Sequence, residues 1–97
     1  MISLIVKVRA KPGKAADYER VSGEFGRHVE ANRPGNILFR TYRTDDPLEF
    51  ISIEHFEDEA SFKAHQAHDH TKQTLEKLQD ILDGGLEVQV FGDDQAV

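Results

Sequence analysis

With 97 residues the chain has room for one hydrophobic core and therefore one domain. A net charge of −6, with lysines and arginines scattered rather than clustered, argues against a nucleic-acid or anionic-membrane partner, and the absence of cysteine rules out disulfides, thiolate metal sites and a cysteine nucleophile. No apolar run is long enough to span a bilayer, and MISLIVKVRAKPG lacks the basic segment and cleavage pattern of a signal peptide, so a cytoplasmic location is expected.

Ile2, Leu4, Val6 and Val8 alternate with Ser3, Lys7 and Arg9, the period of a strand, and Ile5 places one apolar side chain on the opposite face. Lys11-Pro12-Gly13-Lys14 is a turn rather than a phosphate loop, since the full P-loop pattern is missing. From Ala15 to Ala31 the period changes: Tyr18, Val21, Phe25 and Val29 form a helical stripe, with His28 beside it. Gly23 and Gly26 each cost that helix about 1 kcal/mol against alanine, and close packing on a sheet is the expected reason. Asn32-Arg33-Pro34-Gly35 ends the helix, because proline disfavours helical geometry in the residue before it.

A second strand follows over 36–44, with Ile37 and Phe39 on one face and Leu38 and Tyr42 on the other. The turn through Asp45, Asp46 and Pro47 returns it as an antiparallel strand, Leu48 to Phe56. Its parity puts Phe50, Ser52, Glu54 and Phe56 on one face and Ile51, Ile53 and His55 on the other. Asp58 is an N-cap, Leu75, Leu78 and Leu82 mark an amphipathic helix, and Leu86, Val88 and Val90 form a fourth strand. Residues 1–92 are read as the domain and 93–97 as a polar, frayed tail.

The order βαββαβ predicts an α+β, ferredoxin-like domain: one antiparallel four-stranded sheet with both helices on one face. Two helices cover only one side of such a sheet, yet the strands carry apolar residues on both. An uncovered apolar face is usually closed by another subunit, which points to a sheet-to-sheet homodimer.

Four of the five histidines, His55, His65, His68 and His70, fall within one short stretch. A zinc or iron site is one reading of such a cluster. Against it, the leucine stripe after Thr71 is out of phase with Phe62, which implies a helix break near His68, with Asp69 capping the next segment. No metal is expected. His55 and His68 are read as solvated surface residues, and His65 and His70 as pocket residues able to exchange protons near neutrality.

Glu54, Phe56, the acidic helix start Asp58-Glu59, His65 and His70 five residues apart, and Lys72 together resemble the antibiotic biosynthesis monooxygenase family, especially its quinol-monooxygenase-like members. Lys11-Pro12-Gly13-Lys14, Pro34-Gly35-Asn36-Ile37 and Pro47 extend the likeness to about Gly92. The resemblance implies a dimeric α+β barrel that oxidises a small aromatic quinol or phenol with molecular oxygen and no cofactor. By the same resemblance His65 and His70 are the catalytic pair, acting as base or orienting a phenolate. Glu54 would hold a histidine tautomer, and Phe39, Tyr42 and Phe56 would line an aromatic slot for the substrate.

Departures narrow the choice. Many relatives have tryptophan or tyrosine where Phe56 stands, and a proline where Asp69 precedes the second histidine. The haem-degrading branch carries an asparagine whose nearest counterpart here is Val6, and it uses a tryptophan that this chain lacks. An isomerase branch acting on a phosphorylated sugar derivative shares the histidine spacing. Three readings therefore stand: a cofactor-independent monooxygenase, an acid–base enzyme on a small keto or phospho compound marked by a pocket cation such as Arg40 or Lys72, and a non-catalytic binding module.

Overall fold

The computed structural model describes residues 1–97. Strand β1 (Ile2–Arg9) leads through the Pro12-Gly13 turn to helix α1 (Ala15–Asn32), followed by the hairpin of β2 (Asn36–Arg43) and β3 (Glu49–Phe56). Two helices, α2 (Glu59–Ala67) and α3 (Asp69–Gln79), precede the last strand, β4 (Glu87–Gly92). The sheet order is β2-β3-β1-β4 with every pairing antiparallel, the ferredoxin-like arrangement the sequence predicts.

The second helical region is two helices, as the lost leucine phase implies, and the one correction concerns the cap between them. The chain breaks at His68, where the leucine stripe loses phase. The residue that caps α3 is His68 itself, its Nδ1 accepting from the His70 amide at 3.1 Å, rather than Asp69. Asp58 caps α2 as expected, accepting from the Ser61 amide at 2.8 Å. The tail also differs, since Asp93–Gln95 form a 3₁₀ turn. No helix is long and apolar enough to cross a membrane.

Register sets the two faces of the sheet. Leu4 lies opposite Glu54, Val6 opposite Ser52 and Val8 opposite Phe50, and Phe39 and Thr41 of β2 continue the same rows towards the helices. Ile5, Ile51 and Ile53 face away from the helices, together with Leu38 and Tyr42. A bulge between Asn36 and Leu38 takes Ile37 out of Phe39's row and leaves it exposed.

A contiguous apolar cluster occupies one end of the helix–sheet interface. Val8, Ala10, Tyr18, Val21, Phe50, Leu78, Ile81 and Leu82 pack there, with the Tyr18 and Phe50 rings 4.8 Å apart. A short chain of hydroxyls, Ser22 to Thr41 at 2.7 Å and Thr41 to Ser52 at 2.9 Å, ties α1 to β2 and β3 and borders that cluster. At Gly26 an added Cβ would meet the Phe39 ring at 3.0 Å, so close approach of α1 to β2 accounts for that glycine. Gly23 has no such neighbour beyond the flexible Arg27 side chain.

Candidate functional site

Beyond the hydroxyl chain the same interface opens into a cavity of about 470 Å³. Its walls are mainly apolar: Leu4 and Val6 of β1, Phe25 of α1, Phe39 of β2, Phe62 of α2, Leu75 and Leu78 of α3. Val88 and Val90 of β4 point to the helix side but stay 48% and 45% exposed, because the helices leave this edge open, and they form the mouth. Glu54, His65 and the Tyr18 phenol supply the ionisable groups of the lining.

Glu54 stands in the inward row of β3, buried between Leu4 and Phe39. Burial in these surroundings disfavours the carboxylate and raises its pKa from 4.5 to about 7. His65 projects from α2 towards it, with Nε2 3.9 Å from Glu54 Oε1. The imidazole sits among Phe56, Phe25 and Phe39, with ring centroids 5.0, 5.8 and 6.3 Å away. Desolvation and the charge of Arg33 lower its pKa from 6.5 to about 4, so it is neutral at physiological pH.

Arg33 is the residue that sequence reasoning missed. Pro34 forces extended geometry on it (φ −105°, ψ 109°), turning its side chain out of the helical path. The turn is pinned by Gly35 at φ +83°, where a Cβ would lie 2.1 Å from Ser61 Oγ, and by the Glu57 amide donating to the Gly35 carbonyl at 2.8 Å. The guanidinium ends up buried, donating to His65 Nδ1 and Thr71 Oγ1 at 2.9 Å each and to His70 Nδ1 at 3.3 Å. Because arginine only donates, both Nδ1 atoms must be unprotonated, which puts the ring proton of each neutral histidine on Nε2. The usable signal was local: an arginine directly before Pro-Gly at a helix end, facing the histidine-bearing segment.

The expected site residues are only partly brought together. Phe39 lines the cavity with Glu54 and His65. Phe56 is fully buried behind His65, so it holds the imidazole and offers no surface to a substrate. Tyr42 lies on the opposite face of the sheet and is half exposed, outside the cavity. His70 lies on the far side of Arg33, stacked on Phe25 at 5.3 Å and 4.0 Å from the His28 ring, and faces a separate groove between α1 and α3. His55 is not free in solvent but bonds Ser3 Oγ through Nδ1 at 3.0 Å. Arg40 pairs with Glu30, and Lys72 is exposed, and neither lines this cavity. His65 and His70 both turn Nδ1 to Arg33 while His68 caps α3, and no three acidic or histidine side chains converge as metal ligands.

The cavity thus holds one buried carboxyl and one neutral imidazole on a ferredoxin-like frame. Residues 1–77 match the antibiotic biosynthesis monooxygenase family, and the chain belongs to it. Among solved structures, a candidate antibiotic biosynthesis monooxygenase of Deinococcus radiodurans superposes with a TM-score of 0.89 at 16% identity, over 100% of this chain and 96% of that one. A candidate monooxygenase of the same name from Caulobacter crescentus CB15 gives 0.88 at 21% identity, over 93% and 86%. A conserved protein of Methanosarcina mazei Go1 gives 0.84 at 23% identity, over 93% and 89%. At these identities the likeness is one of fold. No curated protein matches the chain.

Proposed function

We propose that the protein is a monooxygenase that oxidises a small aromatic quinol with molecular oxygen, using Glu54 as the base and His65 as a hydrogen-bond donor to the developing oxyanion. The observation that carries this reading is the Glu54–His65 pair in a mainly apolar cavity. The cavity volume lies within the usual range for a small-molecule site. A quinol must lose a proton before it can reduce oxygen, and a carboxyl with a pKa of about 7 is well matched to that step. The tautomer fixed by Arg33 gives His65 an Nε2–H facing Glu54, suited to donating to a quinolate oxygen rather than to removing its proton.

The quinolate then passes an electron to oxygen, the radical pair recombines at ring carbon, and loss of water gives the hydroxyquinone. Overall, quinol and dioxygen become hydroxyquinone and water, with all the reducing electrons drawn from the substrate. Such chemistry calls for no metal or flavin, and the apolar walls keep water from the intermediate. The reading includes a homodimer closed through the outer sheet face, where Ile5, Ile51, Ile53 and Leu38 form an apolar centre.

The same pair would also serve enolisation of a small ketone, and the buried charge of Arg33 favours that alternative too. Oxygen uptake separates them. A panel of hydroquinones and naphthohydroquinones should yield at least one substrate consuming oxygen in step with product. Glu54→Gln should slow it by roughly 100- to 10,000-fold. Turnover of a ketone without oxygen uptake would favour the isomerase reading instead.

A further inference from the structure

Arg33 carries a buried positive charge with no negative partner. Arg9, Arg20, Arg40 and Arg43 each pair with a carboxylate at the surface. Arg33, at 8% exposure, bonds only to two imidazole nitrogens and a hydroxyl, and its Nε is buried with no partner at all. Burying a cation in this way costs several kcal/mol unless an anion compensates it.

The surroundings deepen the imbalance. On the His70 side the groove is lined by Arg20, His28 and Lys77, with Glu24 as its one carboxylate, and Glu24 makes no bond to the guanidinium. On the cavity side only Glu54 faces it, across the His65 ring. Glu54 is half protonated near neutrality because burial disfavours its charge, so it offsets Arg33 only above that range.

We propose that the cavity takes its ligand as an aromatic oxyanion, with Arg33 supplying the counter-charge through His65. The inference rests on reading the cavity as an acid–base site. The guanidinium donates to His65 Nδ1 and polarises the ring, which strengthens Nε2–H as a donor into the cavity. The separation of 3.9 Å between His65 Nε2 and Glu54 Oε1 is too long for a direct hydrogen bond, and a ligand oxygen near both would accept from the imidazole and from the protonated carboxyl. Arg33 acts through His65 and is therefore a positioning residue.

A redox-inert probe, para-nitrophenol, tests this apart from turnover, since its neutral and anionic forms differ in colour. Bound to the wild-type protein, its apparent pKa should fall by about one unit or more, corresponding to roughly tenfold tighter binding of the phenolate. Glu54→Gln, which cannot ionise, should extend phenolate binding to higher pH. Arg33→Met should abolish the shift, and Arg33→Lys, which keeps the charge, should restore part of it. Should Arg33→Met fail to fold, the wild-type and Glu54→Gln titrations still decide. A probe bound to the wild type as the colourless phenol, or not bound at millimolar concentration, overturns the proposal. Phenolate binding without oxygen uptake on any quinol would defeat the monooxygenase reading and leave this one standing.

Discussion

Arg33 and His65 are joined by a buried hydrogen bond of 2.9 Å from Nη1 to Nδ1, and that one contact decides which nitrogen the histidine presents to the cavity. A guanidinium cannot accept, so the proton of the neutral ring sits on Nε2, and His65 enters the cavity as a donor. In the proposed mechanism proton acceptance therefore passes to Glu54. The division of labour is the reverse of the one the family resemblance suggests, in which the histidines act as bases and Glu54 holds the tautomer.

The tautomer is directly observable. Nitrogen-correlated NMR of the imidazoles should show His65 with Nδ1 unprotonated in the wild type near neutral pH. The same signal should become a tautomer mixture in Arg33→Met. An Nδ1–H form in the wild type would contradict the hydrogen-bond assignment.

His65 and His70 should behave differently. His70 faces the groove between α1 and α3 and meets the cavity only through Arg33 and Phe25. His65→Ala should lower quinol turnover at least tenfold. His70→Ala, acting at a partly exposed position, should change it by no more than about twofold, the scale of surface substitutions. Comparable losses in the two variants, measured with folding checked by circular dichroism, would restore the paired role.

Stability should carry the signature of two opposed titrations. Glu54 ionises near 4.5 when unfolded and near 7 when folded, so between these values the folded state holds an extra proton and loses stability as pH rises. His65 is protonated below 6.5 when unfolded but only below about 4 when folded, so in that window the unfolded state holds the extra proton and stability increases with pH. The two slopes, each about 1.4 kcal/mol per pH unit, nearly cancel between about 4.5 and 6.5. Glu54→Gln unmasks the histidine. Urea melts should show the variant gaining about 3 kcal/mol relative to wild type between pH 4.5 and pH 8. Parallel stability curves would mean that Glu54 is not held protonated.

Much of the frame was legible in local pattern. Alternation in β1 and β3 gave the faces correctly, since each pleat repeats every second residue, and the lost leucine phase exposed the break at His68. The site was less legible, because it depends on which elements meet. Tyr42 and Phe39 were assigned to opposite faces yet grouped in one slot, and register now separates them. Phe56 has the right composition for a pocket wall, but the Phe62 and His65 rings, 5.7 and 5.0 Å away, help to seal it. Arg33 looked like a turn residue, and only tertiary packing brings its guanidinium beneath two histidines separated from it by more than thirty positions.

The outer sheet face gives a prediction of assembly. Ile5 lies there between Ile53 and Gln89 and is exposed in the single chain. Sedimentation equilibrium at micromolar concentration should return a dimer mass, and Ile5→Asp should shift it towards monomer or unfold the protein. A wild-type monomer would leave the apolar outer face unexplained.

The most direct test of the central claim is the pH dependence of quinol turnover in wild type and Glu54→Gln. With Glu54 as the base, the wild-type rate should rise through a single transition near pH 7, the titration of the buried carboxyl, and Glu54→Gln should be slow and lack that transition. A transition that persists in Glu54→Gln and vanishes in His65→Ala would return the base to the histidine and contradict the account.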